Sequence, residues 1–176
     1  NNEIHDFEEH GIHFNSSENS TVNDNRVLSV NGYGGWRVAI SNYEGGQDAV
    51  VNYNYIEIRG DGDNHYGIEV HDSEVRGDTI LIYGQDGHST QDRAIYANRS
   101  IIEDNYIEAS SPHNHWHESE QVIISWSDAS NRSSIKNNTI YVEYYLHGIQ
   151  ASYSDIENNH IERFGITING DYNFQE

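Results

Sequence analysis

Cysteine and methionine are absent from the 176 residues, and proline and lysine occur once each, as Pro112 and Lys136. Without cysteine there is no disulfide framework and no thiolate metal site, which leaves the compartment open. The missing initiator methionine is expected of a processed product or an excised domain. No apolar run approaches the roughly 18 residues of a membrane helix, so no membrane insertion is expected. No basic-then-apolar leader is visible either, so any export signal is expected to have been removed. Positive charge is also scarce. Nine Lys and Arg face 29 Asp and Glu, a formal net charge of −20. A field of that sign repels nucleic acid and anionic lipid, which argues against both as partners. Self-repulsion at this density is relieved by salt or by bound cations. An acidic, lysine-poor surface is halophile-like, and it also suits an exported protein kept soluble by its charge.

Asn15, Asn19, Asn98, Asn131 and Asn137 each open an Asn-x-Ser/Thr acceptor pattern. These sequons lean towards a secreted glycoprotein, extracellular or on a cell or virion surface.

One pattern recurs six times: an aliphatic residue, two others, Asn or Asp, one more, then an aliphatic residue. Its members are Val22–Val27, Val51–Ile56, Val75–Ile80, Ile102–Ile107, Ile135–Ile140 and Ile156–Ile161, with the polar residue at Asn25, Asn54, Asp78, Asn105, Asn138 and Asn159. Short period-two strands interleave with them: Gly11–Phe14, Arg37–Ile40, Gly67–Val70, Ala94–Ala97, Val122–Ser125, Gly148–Ala151 and Gly165–Ile168. Helical spacing persists nowhere beyond a turn. Both series predict an all-β fold, a right-handed parallel β-helix of about six to seven coils filling residues 1–176 as one domain. Parallel strands about 4.8 Å apart would stack Ile and Val in internal columns. The recurrent Asn would take the left-handed backbone of a tight corner and form an amide ladder. Asp78, after Gly77, breaks the Asn rule and leaves that corner open. No terminal capping helix is evident, so flanking coils, or self-association through the solenoid ends, are expected.

The units Ile135–Ile140 and Ile156–Ile161, of the form I-x-N-N-x-I, resemble the coil repeats of the pectate-lyase-like β-helix superfamily. The likeness covers roughly residues 11 to 169. It implies the fold, and a choice among polysaccharide lyase, uronate epimerase, glycosidase, viral tailspike and non-enzymatic surface protein.

Long insertions in a solenoid gather on one side and commonly make the working face. Here they fall between each Asn-corner strand and the next short strand, and they carry Trp36, Tyr66 and Trp116. Aligning the short strands places Glu69, His71, Asp92, Arg93, Tyr96 and Glu120 on one surface as catalytic candidates. Trp36, Tyr66, Trp116 and His147 are the candidates for substrate binding. Glu69 with Asp92 or Glu120 would suit glycoside hydrolysis. Tyr96 with His71 and Arg93 would suit proton abstraction beside a uronate carboxyl. A hydrated acidic sheet without chemistry explains the same residues, since 29 acids populate every face. His113, His115 and His117 alternate along an extended segment and would converge on Zn²⁺ or Cu²⁺. Asp61, Asp63 and Asp86 in glycine-rich turns offer oxygen ligands to Ca²⁺. The functional expectation is an extracellular domain that engages a polysaccharide or surface glycan, as a lyase, epimerase or glycosidase. The alternative is a non-catalytic structural solenoid: a surface protein, a filament subunit or a viral spike or adhesin segment.

Overall fold

The computed structural model describes residues 1–14, 19–29, 36–42, 48–60, 64–84, 92–110, 121–143 and 147–164. They form a parallel β-helix. Each coil gives one short strand to each of three parallel sheets, and strands three apart in sequence are neighbours. The first sheet has seven strands, from Glu3–His5 to His160–Phe164. The second has six, from His10–His13 to His147–Ser152, and the third has six, from Thr21–Asn23 to Ser154–Glu157. Among the described residues there is no helix, and so none long and apolar enough to cross a membrane.

The repeat pattern maps directly onto this stack. Val22, Val51, Val75, Ile102, Ile135 and Ile156 form one column in the third sheet. Ile4, Val27, Ile56, Ile80, Ile107, Ile140 and Ile161 form another in the first. Ile12, Ile40, Ile68, Ile95, Ile123 and Ile149 complete the interior from the second. The central members of all three columns are wholly buried. Burial of this kind stabilises by about 1.5–3 kcal/mol per aliphatic side chain. No single coil can achieve it alone.

The polar ladder at the corner between the third and first sheets is continuous. Asn25 donates its backbone N and its Nδ2 to Asn54 Oδ1, both at 3.0 Å. Asn105 does the same to Asn138 Oδ1 at 3.1 and 2.9 Å, and Asn138 to Asn159 Oδ1 at 3.0 and 2.8 Å. Four of the Nδ2 atoms also reach a carbonyl of the preceding coil: Asn54 that of Val22, Asn105 that of Val75, Asn138 that of Ile102 and Asn159 that of Ile135. Asn2 is a further rung, bonded to Asn25 Oδ1. Asp78 occupies the same place, accepting from Asn54 N and Nδ2 at 2.7 and 2.9 Å and donating its backbone N to Asn105 Oδ1.

Two expectations about the backbone are corrected. The left-handed residue at the corner is not the ladder Asn but the one before it. Asp24, Tyr53, Gly77, Asp104, Asn137 and Asn158 have positive φ. The ladder residue must aim its amide along the stack, so its predecessor turns the chain. The second correction is register. Residue-for-residue alignment of the short strands Arg37–Ile40 and Gly67–Val70 sets Val38 against Ile68 and Ala39 beside Glu69. Instead Ile40 opposes Ile68 and Ser41 opposes Glu69. A slip of two residues keeps the same face inward, so apolar alternation cannot distinguish the two registers.

A second ladder, which the sequence reading missed, closes the corner between the second and third sheets. Ser73 N donates to Ser100 Oγ and Ser100 N to Ser133 Oγ, each at 3.1 Å.

Candidate functional site

The candidate site is the outward face of the second sheet. Its strands alternate, so Ile68, Val70, Ile95 and Ala97 enter the core while Glu69, His71, Tyr96 and Asn98 take the alternate positions. Glu69 stands beside Tyr96, His71 beside Asn98, and Tyr66 beside Arg93. Gly67 lets the strands approach, since a Cβ there would lie 2.5 Å from the Ala94 carbonyl oxygen and 2.7 Å from Ile80 Cγ2.

Aromatic rings form a strip along the solenoid axis. The Trp36 and Tyr66 rings meet edge-on at 6.0 Å, Tyr66 and Tyr96 stack at 6.4 Å, and His71 meets Tyr96 edge-on at 6.2 Å. His10 extends the strip beyond Trp36 at 6.3 Å. The Arg93 guanidinium lies against both tyrosines, 5.0 Å from the Tyr66 ring centre and 5.3 Å from that of Tyr96, and donates to the Tyr66 hydroxyl at 3.0 Å. Trp36 is 45% exposed and Tyr96 partly exposed, whereas Tyr66 between them is 6% exposed, so the strip meets solvent at Trp36 and Tyr96. Trp126, 44% exposed, follows Asn98 on the next coil, its backbone N donating to Asn98 Oδ1.

Glu69 sits low in this strip at 2% exposure, with Oε2 lacking a hydrogen-bond partner. Burial raises its carboxyl to about 7, against an opposing pull from the Arg93 charge. Burial likewise raises the Tyr66 phenol. Burial and the Arg99 charge lower the His71 imidazole, which favours its neutral form. At neutral pH the strip therefore holds a carboxyl poised between its two forms, a neutral imidazole and a cation.

Six of the predicted residues, Glu69, His71, Arg93, Tyr96, Trp36 and Tyr66, are thus brought together. Asp92 is not among them. It is wholly buried beside His65, whose backbone N donates to Asp92 Oδ1 at 3.1 Å. His65 Nδ1 lies at the same distance from that oxygen but outside hydrogen-bonding alignment. With Arg37, which pairs with His65 across the strands, these residues make a sequestered polar column. His147 pairs with Gln121 and is half-buried, two coils beyond Arg93. Glu120, Trp116, His113, His115, His117, Asp61, Asp63 and Asp86 lie outside the described residues. Among the described residues no three His, Asp or Glu side chains gather as a metal site.

Sequence reasoning missed the end of the ridge nearest the first coil. His13 Nδ1 lies 2.7 Å and His10 Nδ1 3.1 Å from Ser41 Oγ, so one hydroxyl ties both rings. The signal was present in the His10–His13 spacing, and the two-residue register slip hid Ser41. The fold and face define a parallel β-helix with an aromatic ridge on one sheet. Compared with protein-family models the chain matches none, and no curated protein matches it.

Proposed function

We propose that this chain is a polysaccharide-binding β-helix of the pectate-lyase-like superfamily. It would be secreted or displayed on a cell or virion surface, with the outward face of the second sheet as its glycan site. The observation that carries the reading is the unbroken ring strip from Trp36 through Tyr66 to Tyr96, with Arg93 lying against both tyrosines. Flat rings stack on the apolar faces of sugars, while Arg93 and His71 at the strip offer hydrogen bonds to hydroxyls. A neutral or mixed glycan suits the site better than a densely anionic one, because the net charge of −20 repels the latter.

Two features favour a non-catalytic solenoid as the second reading. Glu69 is nearly closed to solvent and Asp92 is sealed inside with His65, so neither is placed to meet a glycosidic bond. Catalysis by a lyase, epimerase or glycosidase would rest on Glu69 becoming accessible when a sugar binds. A cation partner, Zn²⁺ at His113, His115 and His117 or Ca²⁺ at Asp61, Asp63 and Asp86, and self-association through the solenoid ends are proposals from sequence alone. Calorimetric titration of a bound oligosaccharide tests the site. Trp36→Ala and Tyr96→Ala should each weaken binding about tenfold or more, with melting temperature nearly unchanged for Trp36→Ala. Unaltered affinity in both variants would remove the second sheet from the reading.

A further inference from the structure

The corner ladder contains one chemical exception, and its hydrogen bonds expose it. In Asn54, Asn105 and Asn138 the outer side-chain atom is Nδ2, which donates to the next rung and to a carbonyl of the preceding coil. In Asp78 an oxygen, Oδ2, takes that place, and it is buried with no partner. Asp78 Oδ1 accepts from Asn54, and Asp78 N donates to Asn105 Oδ1 at 2.9 Å, so the rung is otherwise complete. In the Asn rungs this atom reaches Oδ1 of the next rung and the carbonyl of the aliphatic residue that opens the preceding repeat, so the matching groups for Oδ2 are two acceptors, Asn105 Oδ1 and the Val51 carbonyl. A carboxylate there would set oxygen against oxygen, whereas a carboxylic acid has the hydrogen that the position calls for.

We propose that Asp78 is held in the ladder as a neutral acid that donates its proton across the seam towards the Asn105 coil, and that its ionisation is a pH-sensitive joint in the solenoid. Burial drives the carboxyl up to about 7, although the two bonds from Asn54 favour the charged form. The charged and titratable groups around it are Glu74 and Arg76 on its own coil, Tyr53, Tyr55 and Glu57 on the coil before, and Glu103, Asp104, Tyr106 and Glu108 on the coil after. All are at least partly exposed, and none contributes to the shift. The stabilisation is complete below the ordinary aspartate value near 4 and is lost as pH rises through about 7. The joint has a place in the molecule. The chain runs from Asp78 through Thr79–Gly84 into Arg93–Asn98, which carries Arg93 and Tyr96. Ionisation therefore loosens the seam between the coil of Arg93 and Tyr96 and the coil of Trp126.

The test compares wild type with Asp78→Asn, which restores the ladder consensus, in melting experiments from about pH 4 to about pH 8 at fixed ionic strength. The two melting temperatures should be closest at pH 4. The variant should gain several degrees over wild type by pH 8, with most of the divergence between pH 5 and 7. Contributions from Glu69 and other acids are common to both proteins and cancel in the difference. In wild type, the Asp78 carboxyl ¹³C resonance should titrate near pH 7. Parallel melting curves, or a resonance that titrates near 4, would overturn the proposal.

Discussion

A single amide at the corner does three things at once: it accepts two hydrogen bonds from one coil, donates to the next, and donates to a carbonyl of the coil before. At Asn105 the Oδ1 accepts from Asp78 N and Nδ2 donates to Asn138 Oδ1 and to the Val75 carbonyl, and removing the amide strands these partners in a dry setting, since the residue is 1% exposed. Asn105→Ala should therefore cost about 1–3 kcal/mol, read as a shift in the urea midpoint. Ile107→Asp should abolish the cooperative transition, because an unpaired charge would enter a closed aliphatic column. An unchanged melting temperature in Ile107→Asp would refute the inward assignment. The ladder was legible in the sequence because Asn25 bonds to Asn54, Asn105 to Asn138 and Asn138 to Asn159, and each pair needs the same amide on both rungs. The left-handed residues were not legible, because that position demands a backbone angle and not a side chain. Asp24, Tyr53, Asp104 and Gly77 all fill it.

The second sheet shows what pattern reading can and cannot fix at the scale of elements. Alternation identified its strands and their inward faces. It could not tell the register of Trp36–Ser41 from one shifted by two, and so it misplaced Ser41 and Ala39. It also could not tell that Asp92 turns inward while its neighbour Arg93 joins the ridge, because strict alternation fails where a strand begins. Glu69 gives the sheet a measurable pH signature. Its folded carboxyl titrates near 7, above the ordinary glutamate value of about 4.3. The stability it contributes is complete below that ordinary value and is lost as pH rises through 7. Denaturant midpoints at about pH 5 and pH 8 should thus differ less in Glu69→Gln than in wild type. Equal differences in the two proteins would place Glu69 in water. Serine at the other corner is a milder device. Ser100 Oγ accepts from Ser73 N and donates to the Asn98 carbonyl at 2.7 Å, and Ser100→Ala should cost about 1 kcal/mol by the same assay.

Over the whole molecule, a net charge of −20 is held on a stack whose stability is a sum of coil-to-coil terms. Exposed pairs such as Arg99–Asp72 and Arg132–Asp155 bridge neighbouring coils, but eight arginines and one lysine cannot neutralise the field. Melting temperature should consequently rise with sodium chloride from low salt towards molar concentration, beyond the range in which exposed ion pairs are already screened. A flat profile would show that the acidity carries no cost to folding. The fold could be read from the sequence because every coil repeats the same few demands. The site could be read only in part, because a ridge is assembled from residues about 27 apart, and its composition depends on the register of each strand. Glycan binding by this ridge is tested by a screen of the wild-type protein across a broad panel of polysaccharides with salt and Ca²⁺ supplied, followed by product analysis of any hit. Saturable binding to a neutral or mixed glycan, weakened about tenfold or more in Trp36→Ala, is the expected result, and absence of binding across the whole panel would refute a glycan site on the ridge.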